Sequence, residues 1–359
     1  MPIVGPGESD FIQRLKKDHP LQVLTDEELK SRQTRTLEIG ILNIMPDKVV
    51  KRTEEQFVLP LMQAAIGALR IRPHFFSISG VDRAGKAKAY VDSEYKSFAQ
   101  IQDHGLDGLI ITGANCKGSN LKNQSFWDPL NEVIEWADQN VASTIYSCLA
   151  THAYMLSQHG MKREEQPNKI WGVYEHDVLD PLHPLTADMD SMVFIPHSRW
   201  NDISEDQFRD AGMNVLITAP EAGVFMAASP DGLKHVLFQG HPEYEAISLM
   251  KEWKRDLGAH IENPAKSVIP PLPHHYFRAG AGVDLAREFA RRAVDEGIGI
   301  QPEQERILQG HIPLTWRNAS RTLMANWLSA VFDKTHYDLH KQFMEPVDPE
   351  HVFKPLALV

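Results

Sequence analysis

Two cysteines, Cys116 and Cys148, are all that this chain has, so no disulfide framework is expected and both thiols should be free in a reduced, non-secreted protein. No uninterrupted apolar run approaches the roughly 20 residues that a membrane span requires. The opening MPIVGPGESDF has no charged-then-apolar leader, and we expect a cytoplasmic protein. Basic residues are in deficit: 37 Lys and Arg face 48 Asp and Glu, and the formal net charge of -11 argues against a nucleic-acid partner. The sequence has neither GxxxxGK[ST] nor GxGxxG, so no phosphate-cradling loop is expected. His152, His159, His176, His183 and His197 occur without HExxH or CxxC spacing, and no metal is expected. Internal repeats and low-complexity tracts are missing as well.

What is present is an ordinary globular balance, 42% hydrophobic and 24% charged residues, arranged as apolar strands alternating with amphipathic helices. Residues 1–35, with charged helical stretches such as DFIQRLKKD, read as an extended arm plus a surface helix wrapped on a core, with weak local order. TLEIGILNIM, residues 36–45, is a nearly continuous apolar run closed by Pro46, the pattern of a buried parallel strand. A helix is expected over 53–69, with Thr53 as its N-cap and Pro60 as a kink. Strand-like 72–79, helix-like 94–105, apolar DGLIITGAN (107–115), helical 127–140 and strand STIYS (143–147) continue the alternation. Short strands with turns between them, from GVYEHDVLD to HVLFQGHPEY, suggest a more antiparallel second half. A helix over 247–260, a proline-rich connection over 262–276 and two further helices complete the chain. We therefore expect an α/β protein with an arm over 1–35, a core over 36–260 and a helical extension over 261–359.

Ligands of open α/β sheets bind outside the carboxyl ends of the strands, which would gather Asn115, Cys116, Lys117 and Cys148 on one edge. Taken alone, Cys148 reads as a buried filler. Its position at a strand-to-helix turn, however, sets the sulfur at the positive end of a helix dipole, where a thiolate is favoured. A nucleophilic thiol needs a base, and the base needs a third group to orient it. FQGHPEY, residues 238–244, supplies both: His241 and Glu243 are two apart in an extended segment stiffened by Pro242, so their side chains share a side.

These residues resemble a known family. The cysteine elbow followed by His-Pro-Glu after a later strand is similar to the class I glutamine amidotransferase fold, a flavodoxin-like mixed sheet flanked by helices. The nearer resemblance is to the homoserine O-acyltransferases of methionine biosynthesis. It is carried by GILNIMP, DGLIITGA, the Cys148 elbow, KIWGVYEH, PHSRW, GHPEY and TWRNASRTLMANWL, in order over nearly the whole chain. It implies a ping-pong transfer in which Cys148 takes an acyl group from acyl-CoA as a thioester. Homoserine then attacks, with His241 as base and Glu243 orienting it. It also implies substrate contacts from Lys169, Ser198 and Arg255, acyl-CoA as co-substrate without a bound cofactor, and small-molecule partners, with a homodimer allowed.

Where members of the family carry glycine or glutamate after TGA-x-x, this chain has Lys117. An ammonium there would suit the carboxylate of a succinyl group and has no partner in an acetyl group, so succinyl-CoA is the favoured donor and acetyl-CoA the alternative. Serine remains open as acceptor. Cys116 receives no catalytic role and Arg199 no assignment. The elbow reads YSCLA rather than Gly-x-Cys-x-Gly, with Ala150 small enough for close backbone approach, and the oxyanion donors are expected among backbone N–H groups near the elbow and the TGAN turn. A glutaminase-like hydrolase using the same three residues is the competing enzyme reading, and a ligand sensor with a redirected pocket is the non-enzymatic one. The segment 278–313 looks longer than the family's usual connection, with an added surface helix.

Overall fold

The computed structural model describes residues 2–19, 22–25, 28, 35–65, 69–114, 116 and 120–335. In chain order its strands are β1 (Pro2–Val4), β2 (Gln22–Leu24), β3 (Thr36–Leu42), β4 (Arg70–Phe76), β5 (Gly108–Ile111), β6 (Ser143–Ser147), β7 (Glu164–Val178), β8 (Met192–Asp202), β9 (Asn214–Ala219), β10 (Gly223–Ala228) and β11 (His235–Phe238). The helices are α1 (Asp10–Asp18), α2 (Val50–Ala64), α3 (Gly85–Glu94), α4 (Phe98–His104), α5 (Trp127–Asn140), α6 (Leu149–His159), α7 (Glu205–Asp210), α8 (Ser248–Glu262), α9 (Ala281–Glu296), α10 (Pro302–Gln309) and α11 (Arg317–Lys334).

The apolar runs that pair in parallel are those buried on both faces. β3 has Leu37, Ile39 and Ile41 in the core shared with α2 and α11, while Leu42 turns to the core under α5 and α6. Among the described residues the strands form one sheet in the order β2-β1-β4-β3-β5-β6-β11-β10-β9-β7-β8. Pairing is parallel from β2 to β11 and antiparallel from β11 to β8, the mixed α/β arrangement that the strand patterns suggested. A third core, around Trp253 of α8, takes in Phe289 and Ala290 of α9. The helix within 278–313 is a surface helix, as expected, with one face docked on α8 and the other exposed.

Several local expectations are corrected. The helix expected on DFIQRLKKD is present as α1, capped by Ser9 on the Ile12 N–H and burying Phe11, Ile12 and Leu15, but the first residues are ordered rather than weakly so, with Ile3 paired to Ile71. Three-residue strands carry no readable periodicity, and so the pairing could not be anticipated. α2 starts before Thr53, whose hydroxyl donates back to the Val49 carbonyl at 3.0 Å instead of capping the helix. The stretch 94–105 is broken at Ser97, which forms a capping box with Gln100 and starts α4.

One close approach shapes the second half. At Gly172 of β7 (φ 145°) an added Cβ would lie 2.4 Å from His274 backbone atoms, and the two segments exchange Val173 N–H to His274 O at 2.7 Å and His274 N–H to Trp171 O at 3.0 Å. The proline-rich connection is thereby fastened across β7, and α8 stays beside the start of that strand.

Candidate active site

The parallel strands end on one edge, and the loops after β3, β5, β6 and β11 meet there. Cys148 joins β6 to α6 with φ 52° and ψ −106°, a conformation that a residue with a Cβ adopts only under constraint. The constraint is visible. The Cys148 N–H donates to Phe238 O at 2.7 Å, and the Thr151 hydroxyl reaches both Tyr146 O at 2.8 Å and Phe238 O at 2.9 Å. The elbow is thus stitched to β11, the strand that delivers the histidine.

His241 follows β11 through Gly240, where an added Cβ would meet Ile195 at 2.7 Å and His197 at 2.8 Å. Only glycine lets the chain pass this close to β8, where the His241 N–H donates to Pro196 O at 2.7 Å. The buried imidazole has Glu243 Oε1 2.8 Å from Nδ1 and the Tyr244 ring stacked at 4.2 Å. Burial alone would lower its pKa, but the charges of Glu243 and Cys148 and their hydrogen bonds overcome this and push it up to about 10. Among the described residues no donor reaches Glu243 Oε2, so His241 is the group that neutralises this carboxylate. The three residues singled out in the sequence are therefore one contiguous unit.

Lys169 and Ser198 are brought together as well, on a residue the sequence did not point to. Glu252 of α8 accepts from Lys169 Nζ at 2.9 Å, Ser198 Oγ at 2.6 Å and the Tyr244 hydroxyl at 3.0 Å. Burial works against its ionised form, yet Lys169, the Ser198 hydroxyl and nearby His241 hold it below the usual carboxylate range. Lys169 also sits over the Trp171 ring at 4.6 Å. Arg255, one turn further along α8, is not drawn into this group: its side chain is 63% exposed and Nε donates to Asp256 at 2.7 Å. Lys117 and Asn115 lie outside the described residues. Cys116 is half-buried, and burial pushes its thiol up to about 11 against the pull of Arg163, so it stays protonated.

Arg199 has a structural explanation. Its guanidinium donates to His197 Nδ1, Asn201 O, Asp202 Oδ1 and Ala222 O, a clamp between β8 and the β9–β10 turn. Among the described residues the group that could hold a metal ion is Glu38, His74 and His104, placed toward the opposite end of β3 from the elbow. There Lys96 Nζ lies 2.9 Å from His74 Nδ1, which leaves Nε2 as the protonated nitrogen facing Glu38, and Arg72 pairs with the same carboxylate at 3.2 Å. The carboxylate is already compensated, and the His74 lone pair is engaged.

The sequence profile of the homoserine O-succinyltransferase family matches residues 2–337. Curated relatives named homoserine O-succinyltransferase are similar over the full chain. The one from Allochromatium vinosum is 42% identical over 360 residues, covering 100% of this chain and 99% of the relative. That from Thiobacillus denitrificans is 42% identical over 361 residues, and that from Methylococcus capsulatus 39% over 363, each covering 100% of both chains. Among solved structures, a glutamine amidotransferase from Thermotoga maritima aligns with 11% identity and a TM-score of 0.38, over 84% of this chain and 99% of that one. One from Methylobacillus flagellatus aligns with 13% identity and a TM-score of 0.40, over 83% and 96%.

Proposed function

We propose, from the premise that the chain belongs to the homoserine O-succinyltransferase family, a family of acyltransferases, that it transfers the succinyl group of succinyl-CoA to the hydroxyl of L-homoserine in methionine biosynthesis. The observation that carries the mechanism is the buried His241 ring, held by Glu243 at 2.8 Å just after β11, the strand to which the Cys148 elbow is tied by its N–H on Phe238 O at 2.7 Å.

In the first half-reaction the Cys148 sulfur attacks the thioester carbon of succinyl-CoA. The first N–H groups of α6 have no partner within the helix, and those at the elbow are suited to the developing oxyanion. The C–S bond to CoA breaks, and the proton held on His241 goes to the departing CoA sulfur, leaving a Cys148 thioester and neutral His241. Acylation also removes the sulfur charge and the hydrogen bond that helped raise the His241 pKa, while burial, which lowers it, remains. The same ring that began as an acid is thereby converted into a base. In the second half-reaction it takes the proton of the homoserine hydroxyl as that oxygen attacks the thioester. Cys148 leaves as thiolate and the imidazolium returns. Glu243 keeps the ring oriented throughout and stabilises its charge.

The amino acid is read by the group around Glu252. Its carboxylate suits the homoserine ammonium, and Lys169, with Arg255 one turn along α8, suits the homoserine carboxylate once Lys169 is shared between the two. Acyl-CoA acts as co-substrate with no resident cofactor, in the cytoplasm; no helix among the described residues is long and apolar enough to cross a membrane. Steady-state kinetics test the scheme. Parallel lines in double-reciprocal plots of succinyl-CoA against homoserine, with O-succinylhomoserine as product, are expected. Intersecting lines, or hydrolysis of glutamine in place of acyl transfer, would refute it.

A further inference from the structure

We infer that Tyr244 is a positioning residue for the second half-reaction: one side chain ties the carboxylate that receives the homoserine ammonium to the ring that removes the hydroxyl proton. The inference rests on the acyl-transfer reading above and on the part given there to Glu252.

The two oxygens of Glu252 are unequally used. Lys169 Nζ at 2.9 Å and Ser198 Oγ at 2.6 Å both donate to Oε2, whereas Oε1 accepts, among the described residues, from the Tyr244 hydroxyl alone at 3.0 Å. A carboxylate oxygen has two lone pairs, so Oε2 is filled and the open acceptor position is on Oε1. An incoming ammonium is therefore bound by the same oxygen that holds Tyr244. The ring of that side chain is committed to the base: it lies on the His241 imidazole with centroids 4.2 Å and planes 18° apart. Stacked in this way, the phenol limits tilting of the imidazole and favours its charged form.

The backbone around Tyr244 is fastened on both sides. Its N–H donates to His241 O at 3.2 Å, and its carbonyl accepts at 2.7 Å from Nε1 of the buried Trp316, the residue just before α11. Glu245 pairs with Arg52 of α2, and the Tyr276 hydroxyl donates to the Ala246 carbonyl. The Tyr244 hydroxyl lies on the axis of its ring, so with the backbone held it can leave Glu252 only if the whole ring swings over His241. Acceptor binding and base position are thus linked through one rigid group. Loading of Cys148 does not use the link, because succinyl-CoA brings no ammonium to Glu252. Discharge does, because the homoserine hydroxyl must meet His241 while its ammonium is held by that carboxylate.

The two half-reactions are measured separately: loading of Cys148 by intact-protein mass with succinyl-CoA alone, and discharge of the isolated succinyl-enzyme by homoserine. Tyr244→Phe keeps the stacked ring and removes the hydroxyl. It should slow discharge about ten- to hundred-fold, the range for a hydrogen bond to a charged group, and change loading far less. Tyr244→Leu removes the ring as well and should slow loading too, by about two- to thirty-fold, as the stacked cation is uncovered. The amine-free analogue 4-hydroxybutyrate supplies a readout that loosened packing would not move: the preference for homoserine over it should shrink in Tyr244→Phe. Tyr244→Trp, which also has a ring and no hydroxyl, replaces Tyr244→Phe if that variant melts early. Discharge of Tyr244→Phe at the wild-type rate, equal losses in loading and discharge, or an unchanged preference over 4-hydroxybutyrate would each overturn the inference. If the wild-type protein never loads, the acyl-transfer reading fails and takes the inference with it. If wild type and Tyr244→Phe load and discharge alike, only the inference fails.

Discussion

Replacing Glu252 by glutamine should loosen two strands from one helix at once. The single carboxylate accepts from Lys169 of β7 at 2.9 Å, Ser198 of β8 at 2.6 Å and the Tyr244 hydroxyl at 3.0 Å. Glutamine keeps the shape and one acceptor oxygen but leaves the Lys169 ammonium without its counter-charge. Breaking a fully buried pair from one side costs roughly 3–5 kcal/mol. Here the side chains are 16% and 18% exposed, so the ammonium can turn toward water, and about 2 kcal/mol is a better expectation. Weakened hydrogen bonds to Ser198 and Tyr244 add on the order of 1 kcal/mol. Urea unfolding should therefore show a loss of about 3 kcal/mol with an unchanged denaturant slope. Lys169→Met alone strands the carboxylate instead, and the double variant removes both charges. The double variant should fall short of the summed losses by roughly 1–2 kcal/mol. Additivity to within about 0.5 kcal/mol would show that the pair contributes nothing and refute the reasoning.

Other outcomes follow from the same geometry. Because His241 is raised to about 10, it keeps its proton from the ordinary histidine range up to that value. Stopped-flow acyl loading should accordingly stay level through neutral pH and decline only as pH passes toward 10; a decline centred on the ordinary value near 6.5 would contradict the hydrogen-bonded pair. Glu243→Gln should lower kcat/KM by about 10²–10⁴-fold, measured with saturating homoserine, since it removes the charge that orients and stabilises the imidazolium. His152 is lowered to about 3 by burial, against a hydrogen bond to Gln239 that favours its charge. The unfolded chain binds this proton as pH falls below about 6.5 and the folded chain does not, so the contribution is full above that pH and is lost on acidification. The loss should reach about 2 kcal/mol at pH 5, and His152→Gln should flatten the acid limb of a stability–pH curve by about that amount.

The parts of this fold that could be read from the sequence are those with strong local patterns. β3 and β5 are largely apolar runs because both faces are covered, and α5 and β6 begin and end where their patterns do. The candidate catalytic unit was readable because its pieces are short and local: a thiol between strand and helix, and a histidine two residues from a glutamate. What escaped was set by distance along the chain. Glu252 has partners 83 and 54 residues away, on strands whose approach to α8 depends on the Gly172–His274 crossing. Its own neighbourhood, KEWKRD, looks like any charged helix face. β1 and β2 are too short to show alternation, and α2 begins in a turn at Asp47–Val49 that obscures its start.

Whether Cys148 carries the acyl group can be measured directly. Intact-protein mass after mixing with succinyl-CoA alone should rise by one succinyl group, map to Cys148 by peptide analysis, and return to the starting mass when homoserine is added, with O-succinylhomoserine appearing in equal amount. Cys148→Ser should show no such cycle. Product formed by folded protein that never carries the adduct, or an adduct on Cys116 instead, would contradict the account.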